Sequence, residues 1–304
     1  MDVQIFTNFA FNNNKINILA AFRISWYSIF GTDKFILTHR ISVREDLTFS
    51  PFKESLADYS LPDRFTFPFD YEPHPLSLLA VEKLQSHLEN QTEWTHNFGL
   101  SDQDGTIIGK MFGVLVVTTD QGEIGYLSAF SGKLAGKNYH SKFVPPIFDG
   151  VENGGFLNTG MIELTRINEE IRTLEAQMPE DYQERIFHLK TLRKTNSISL
   201  QEIIFDQYHF LNQAGQQKSL KSIFDEAAYK NPPSGAGECA APKLLQYAFQ
   251  QKMKPVAMAE FWWGSSPKSD FWKHGQFYPC CQEKCAPILA HMLDGMDVDE
   301  KPEI

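Results

Sequence analysis

The most regular hydrophobic pattern lies between residues 161 and 178, where Leu164, Ile167, Ile171, Leu174 and Met178 recur at steps of three and four. That spacing is a heptad seam on one helix face, and Pro179 is expected to end the helix. Tyr182, Ile186, Leu189 and Leu192 restart an apolar stripe, and residues 200–211 read as a third helical segment closing before Asn212 and Gly215. Together they predict antiparallel helices, at least a hairpin and coiled-coil-like.

Upstream, Pro62, Pro68, Pro73 and Pro75 mark extended chain. After Pro75 the positions Leu76, Leu79, Ala80, Lys83, Leu84, His87 and Leu88 predict a helix of about four turns. Residues 110–119 and 123–130 read as two strands joined through Asp120, Gln121 and Gly122, a β-hairpin. Further on, residues 243–249 read as a helix with Pro242 in its first turn and Cys239 at its mouth. Residues 256–263 read as a buried strand, and Pro279 is expected to start another helix carrying Cys281 and Cys285. The fold class is therefore α+β, in four stretches: an unassigned segment 1–55, a small α+β unit 56–150, a helical hairpin arm 151–230 and a cysteine-rich α/β module 231–304.

Composition narrows the function classes. With 42% hydrophobic and 22% charged residues and 25 Phe in 304 residues, the chain has the makings of packed cores. A formal net charge of −10 repels nucleic acid at long range, so such contact needs a local basic patch. Arg185, His188, Lys190, Arg193 and Lys194 form the obvious one, and Arg185, Lys190, Arg193 and Lys194 are the candidate RNA contacts. The solvated-face reading competes, because Glu180, Asp181 and Glu184 lie just upstream. Residues 16–30 are apolar but interrupted by Arg23 and shorter than the roughly 20 residues of a membrane span. Without a basic leader or a cleavage site they do not read as a signal peptide either; the expectation is cytoplasmic, with no membrane.

All four cysteines, Cys239, Cys280, Cys281 and Cys285, fall within 47 residues, a clustering that points to metal or redox chemistry and away from a disulfide framework. Buried free thiols are the plain alternative. Residues at i and i+4 share a helix face, so Cys281 and Cys285 can reach one ion, and Cys239 at a helix start gains from the positive end of that helix. Cys280 competes with Cys281 but is spaced less favourably. Three thiolates with an imidazole make a zinc site, the fourth ligand being His274 or His291. Trp262, Trp263, Phe271, Trp272 and Tyr278 form either a core or a base-stacking platform.

Two resemblances follow. The order of loop, Cys239-Ala-Ala241, strand and Pro-Cys-rich segment resembles the zinc nucleobase deaminases, whose Cys or His is followed by Ala-Glu and later by P-C-x-x-C. Here the Glu is absent from position 241 and the second motif is one residue longer, so a structural version of the site is expected; Glu238 or Glu260 would be the displaced proton shuttle of an active one. More extensively, PPSGAGECAAPKLLQYAF, AMAEFWWGSSPKS and KHGQFYPCCQEKCAPILAHML, together with HNFG, GKMFGVLVV and GYLSAFSGKLAG, resemble the region preceding the catalytic domain in a subset of bacterial RluA-type RNA pseudouridine synthases. This resemblance spans about residues 70–295 and implies that Cys281 is the partner of Cys285. The family's H-R-L-D motif is not present; His39-Arg40-Ile41-Ser42 is only an echo. No catalytic residue carries over, and the catalytic domain is expected after Ile304.

Three functions follow as expectations. The first is an accessory region that binds or positions ribosomal or transfer RNA, not DNA, for a pseudouridine synthase catalytic domain. The second is a zinc-dependent deaminase-like hydrolase acting on a nucleobase. The third is a helical scaffold for protein partners.

Overall fold

A computed structural model describes residues 47–149, 156–227 and 230–301. All belong to one compact unit, Asp46–Ile304; a second unit, Met1–Glu45, with the apolar stretch 16–30 and the His39–Ser42 echo, lies outside the described residues. The described part of the unassigned segment 1–55 contributes a short edge strand, β1 (Ser50–Pro51).

The fold is α+β. Helix α1 (Pro75–Asn90) begins with Pro at its first position and is capped by His74, whose Nδ1 accepts from Leu76 N–H at 3.2 Å. Strands β2 (Lys110–Thr118) and β3 (Ile124–Phe130) form the expected antiparallel hairpin, closed by Gly122 at φ +81°. Helices α2 (Phe156–Gln177) and α3 (Tyr182–Gln207) follow, then the small ladder β4 (His209–Leu211) and β5 (Gln217–Ser219) and helix α4 (Leu220–Glu226). Helix α5 (Ala240–Gln250), strand β6 (Lys254–Trp263) and helix α6 (Cys285–Met292) complete the chain.

The main sheet runs β1-β3-β2-β6, so β6 returns from a long excursion to pair antiparallel with the free side of β2. The stretches 56–150 and 231–304, separate in the sequence reading, thus share one sheet. Both its faces are covered, which is why its strands read as nearly unbroken apolar runs. Leu115, Val117, Leu127, Ala129 and Met258 face α5, α6 and α4, whereas Phe112, Val114, Val116, Phe130 and Phe261 face α1 and an aromatic layer. Phe112 sits between Phe98, Phe130, Phe143 and Phe261, ring centroids 5.9–6.5 Å away.

The helical arm departs from expectation at its end. Residues 200–207 do not form a separate helix but continue α3, because no Gly or Pro interrupts them, and residues 209–211 become β4. Ile167, Ile171, Leu174 and Ile186 form its buried seam, while Leu164 is half-buried and Met178, at φ +46° before Pro179, is exposed.

Candidate metal centre

Strand β2 places Gly113 directly opposite Glu260 of β6. A side chain at Gly113 would meet Ala240 Cβ at 3.0 Å and Leu244 at 3.1 Å, so the glycine lets the start of α5 lie flat against the sheet. Cys239 is the N-cap of α5, yet its side chain caps nothing. The orphan amide of Ala241 is instead satisfied by Glu260, whose Oε1 accepts from it at 3.1 Å. Glu260 Oε2 accepts from the thiol of Cys280 at 3.2 Å. Both oxygens of a buried carboxyl are therefore spent holding two segments to the strand: one beside Cys239, the other beside Cys281.

The second segment is braced further. Tyr278 N–H donates to Glu260 O at 3.0 Å, and Cys280 N–H donates to Pro68 O at 2.9 Å. The hydroxyl of Tyr71 accepts from Glu260 N–H at 2.8 Å and donates to Tyr278 O at 3.2 Å. Helix α6 does not begin at Pro279 but at Cys285, preceded by a turn in which Cys285 N–H donates to Cys281 O at 3.2 Å. Ahead of that turn the segment is anchored at Cys280, by Glu260 through its thiol and by Pro68 through its amide. The turn still gives the i, i+4 approach, with Cys281 and Cys285 sulfurs 3.5 Å apart.

The sulfurs of Cys239, Cys281 and Cys285 all lie within 4.8 Å of one another, and the three thiols can hold a metal ion. Cys285 is buried, Cys239 half-buried and Cys281 exposed. Hydrogen bonds from the thiols of Cys239 and Cys285 push the Cys281 thiol down; the bond with Cys281 pushes Cys239 up, and the bonds with Cys239 and Cys281 push Cys285 up. Cys281 is thus the sulfur that gives up its proton first, and a metal displacing the other protons completes the set. Burial pushes Glu260 up to about 7.

His274 is not brought to this cluster. Its Nδ1 accepts from Gly264 N–H at 3.0 Å and its ring stands 4.4 Å from that of Trp263. The chain after it runs back along β6, with Trp262 N–H bonded to Gln276 O, which keeps His274 at the far end of the strand. His291 is buried with Nε2 3.0 Å from Phe210 O, joining α6 to β4.

The basic residues of α3 largely face their own hairpin. Lys190 pairs with Glu175 at 3.3 Å, Arg185 approaches Glu170 at 4.0 Å, and Arg193 donates to Asn168 at 2.7 Å. Lys194 is exposed, without an ion pair among the described residues. The aromatics divide: Phe261 and Trp263 are core, while Trp262 and Trp272 stack at 5.1 Å beside Phe271, which is 64% exposed.

Sequence reasoning missed Lys243, which is buried, donates to Phe130 O at 2.9 Å, and is held down to about 8 by burial. The signal was present: a lone Lys inside AAPKLLQYAF, like the lone Glu inside VAMAEFWW, is a charge on an otherwise apolar element. Compared with models of protein families, with curated proteins and with solved structures, the chain has no match in any of the three.

Proposed function

We propose that this protein is a zinc-ordered accessory module of an RNA-modifying enzyme, which holds substrate RNA for a pseudouridine synthase domain and performs no turnover at its thiols. The observation that carries the structural role is Glu260: with one oxygen on Ala241 N–H and the other on the Cys280 thiol, it is a buried strut between the two segments that carry the thiols. Three thiolates suit zinc, which as a bound ion would tie the start of α5 to the turn before α6. The strings that resemble the pseudouridine synthase region include those that build α5, β6 and α6, which supports reading the centre as part of such a region.

The test starts from the purified full chain. Elemental analysis is expected to find about one zinc per chain, lost in Cys239→Ser and kept in Cys280→Ser, since Cys280 bonds to Glu260 and not to the cluster. Fluorescence anisotropy is expected to show binding of ribosomal or transfer RNA fragments. Zinc-free wild type, or zinc retained in Cys239→Ser, overturns the metal role; no RNA binding overturns the RNA role.

A deaminase-like hydrolase is the second reading, favoured by the exposure of Cys281, which leaves a fourth metal position open to water. Ammonia release from cytidine or adenosine that disappears in Glu260→Gln would replace the first reading with this one.

A further inference from the structure

A cleft of about 780 Å³ opens between two loops beside the sheet, lined among others by His96, Asp104, Thr106, Lys110, Lys133 and Gly136. Its volume is that of a small-molecule site. Its walls are built. His96 Nδ1 accepts from Ala135 N–H at 3.3 Å, so its proton sits on Nε2, which donates to Ile108 O at 2.8 Å. One neutral imidazole thereby staples the two loops together. The far loop is a tight turn, with Leu134 and Lys137 exchanging both backbone bonds and Ala135 and Gly136 at φ +47° and +76°. A non-glycine residue at that first position is strained, and His96 holds the strained amide in place.

Lys110 stands at the first position of β2 and lines this cleft half-buried, its side chain without a hydrogen bond or ion pair among the described residues. Burial holds its ammonium below the usual lysine range, against the opposing attraction of the Glu238 carboxylate, so the charge is partly desolvated. Lys133 adds a second cation from the opposite loop, and Asp104 adds one carboxylate. A ligand matching two ammonium groups and one acceptor carries an anion together with hydroxyl donors.

We propose that this cleft binds a phosphorylated ribose, with the phosphate on Lys110 and Lys133 and the ribose hydroxyls donating to Asp104. The assignment rests on the RNA reading above only for the source of the phosphate, which is either a free nucleotide or a nucleotide within RNA. One wall of the cleft also lies near the residue that leads into Cys239. Lys110 Nζ and Glu238 Oε2 both lie about 4 Å from where a Cβ at Gly132 would stand, and Glu238 precedes Cys239. A nucleotide seated there lies against the segment that the metal centre orders.

The test uses the full chain at low salt, with uridine monophosphate, uridine and a short single-stranded RNA as probes in calorimetric titrations. Wild type is expected to bind uridine monophosphate and to prefer it to uridine. Lys110→Ala is expected to weaken it about tenfold and Lys133→Ala, on an exposed loop that leaves the sheet untouched, severalfold. Monophosphate binding that depends on these lysines without RNA binding supports the cleft and removes RNA as the source. RNA binding that neither variant alters, or a monophosphate bound no better than uridine, overturns the proposal while leaving the RNA reading standing.

Discussion

The helical arm and the sheet body obey the hydrophobic pattern in opposite ways. The arm carries the most regular spacing in the chain, yet among the described residues its seam is just Ile167, Ile171, Leu174 and Ile186, and Ile162 and Phe187 are about two-thirds exposed. The body has short, irregular apolar runs but packs both faces of its sheet. Its chemistry sits where the pattern is broken, at Glu260, Lys243 and the thiols. Regular spacing announces a helix whose partner is its sequence neighbour, whereas a charge inside an apolar element announces a group that only distant segments can satisfy.

The largest effect separating the two regions is expected from core truncation. Phe112→Ala removes a ring packed among four others and is expected to cost about 3–5 kcal/mol. Ile171→Ala is expected to cost about 2 kcal/mol, because a two-helix seam collapses around the gap. The arm contains no Trp, whereas Trp94, Trp262, Trp263 and Trp272 lie in the body, so with Trp26 replaced by Phe, urea unfolding followed by Trp fluorescence reports the body and far-UV circular dichroism weights the arm. Phe112→Ala should shift the fluorescence transition and Ile171→Ala mainly the dichroism. Coincident shifts in both variants would show that the regions unfold as one.

A smaller effect tests the broken pattern directly. Glu260 is protonated in folded and unfolded chains alike below about pH 4.5. Above that the unfolded chain ionises first, while burial holds the folded carboxyl up to about 7. Stability relative to Glu260→Gln should therefore fall as pH rises from about 4.5 to about 7, by on the order of 3 kcal/mol. Using Glu260→Gln as the reference removes the pH dependence of metal binding from the comparison. A flat difference across that window would mean that the carboxyl is not buried as described.

The smallest effect belongs to the arm's surface. Lys190→Ala breaks an exposed pair with Glu175 and should cost less than about 1 kcal/mol, vanishing in high salt. A thermal melt with a larger, salt-resistant loss would show that the arm relies on its charges more than its seam.

The sequence revealed local features well. The 110–130 hairpin, the helix after Pro75, the strand ending at Trp263 and Cys239 at a helix mouth all follow from nearest-neighbour rules. Three of the four cysteines meet as their spacing suggested, although Cys281 and Cys285 do so through a turn. The place of His274 away from the thiols depends on how residues 274–281 retrace β6, a pairing with no local signature. The sharing of one sheet by 56–150 and 231–304 was hidden for the same reason. Glu260 stood out as a charge in an apolar strand, but its role as a distant cap for α5 needed the opposing Gly113 to be in place.

The three thiols flank β6 in the chain, Cys239 before it and Cys281 and Cys285 after it. Cys281 and Cys285 are separated by a single turn, whereas Cys239 meets them across a loop of about 40 residues that contains the whole of β6. An ion held by all three sulfurs would therefore close that loop, fastening the chain that leads into β6 to the chain that leaves it.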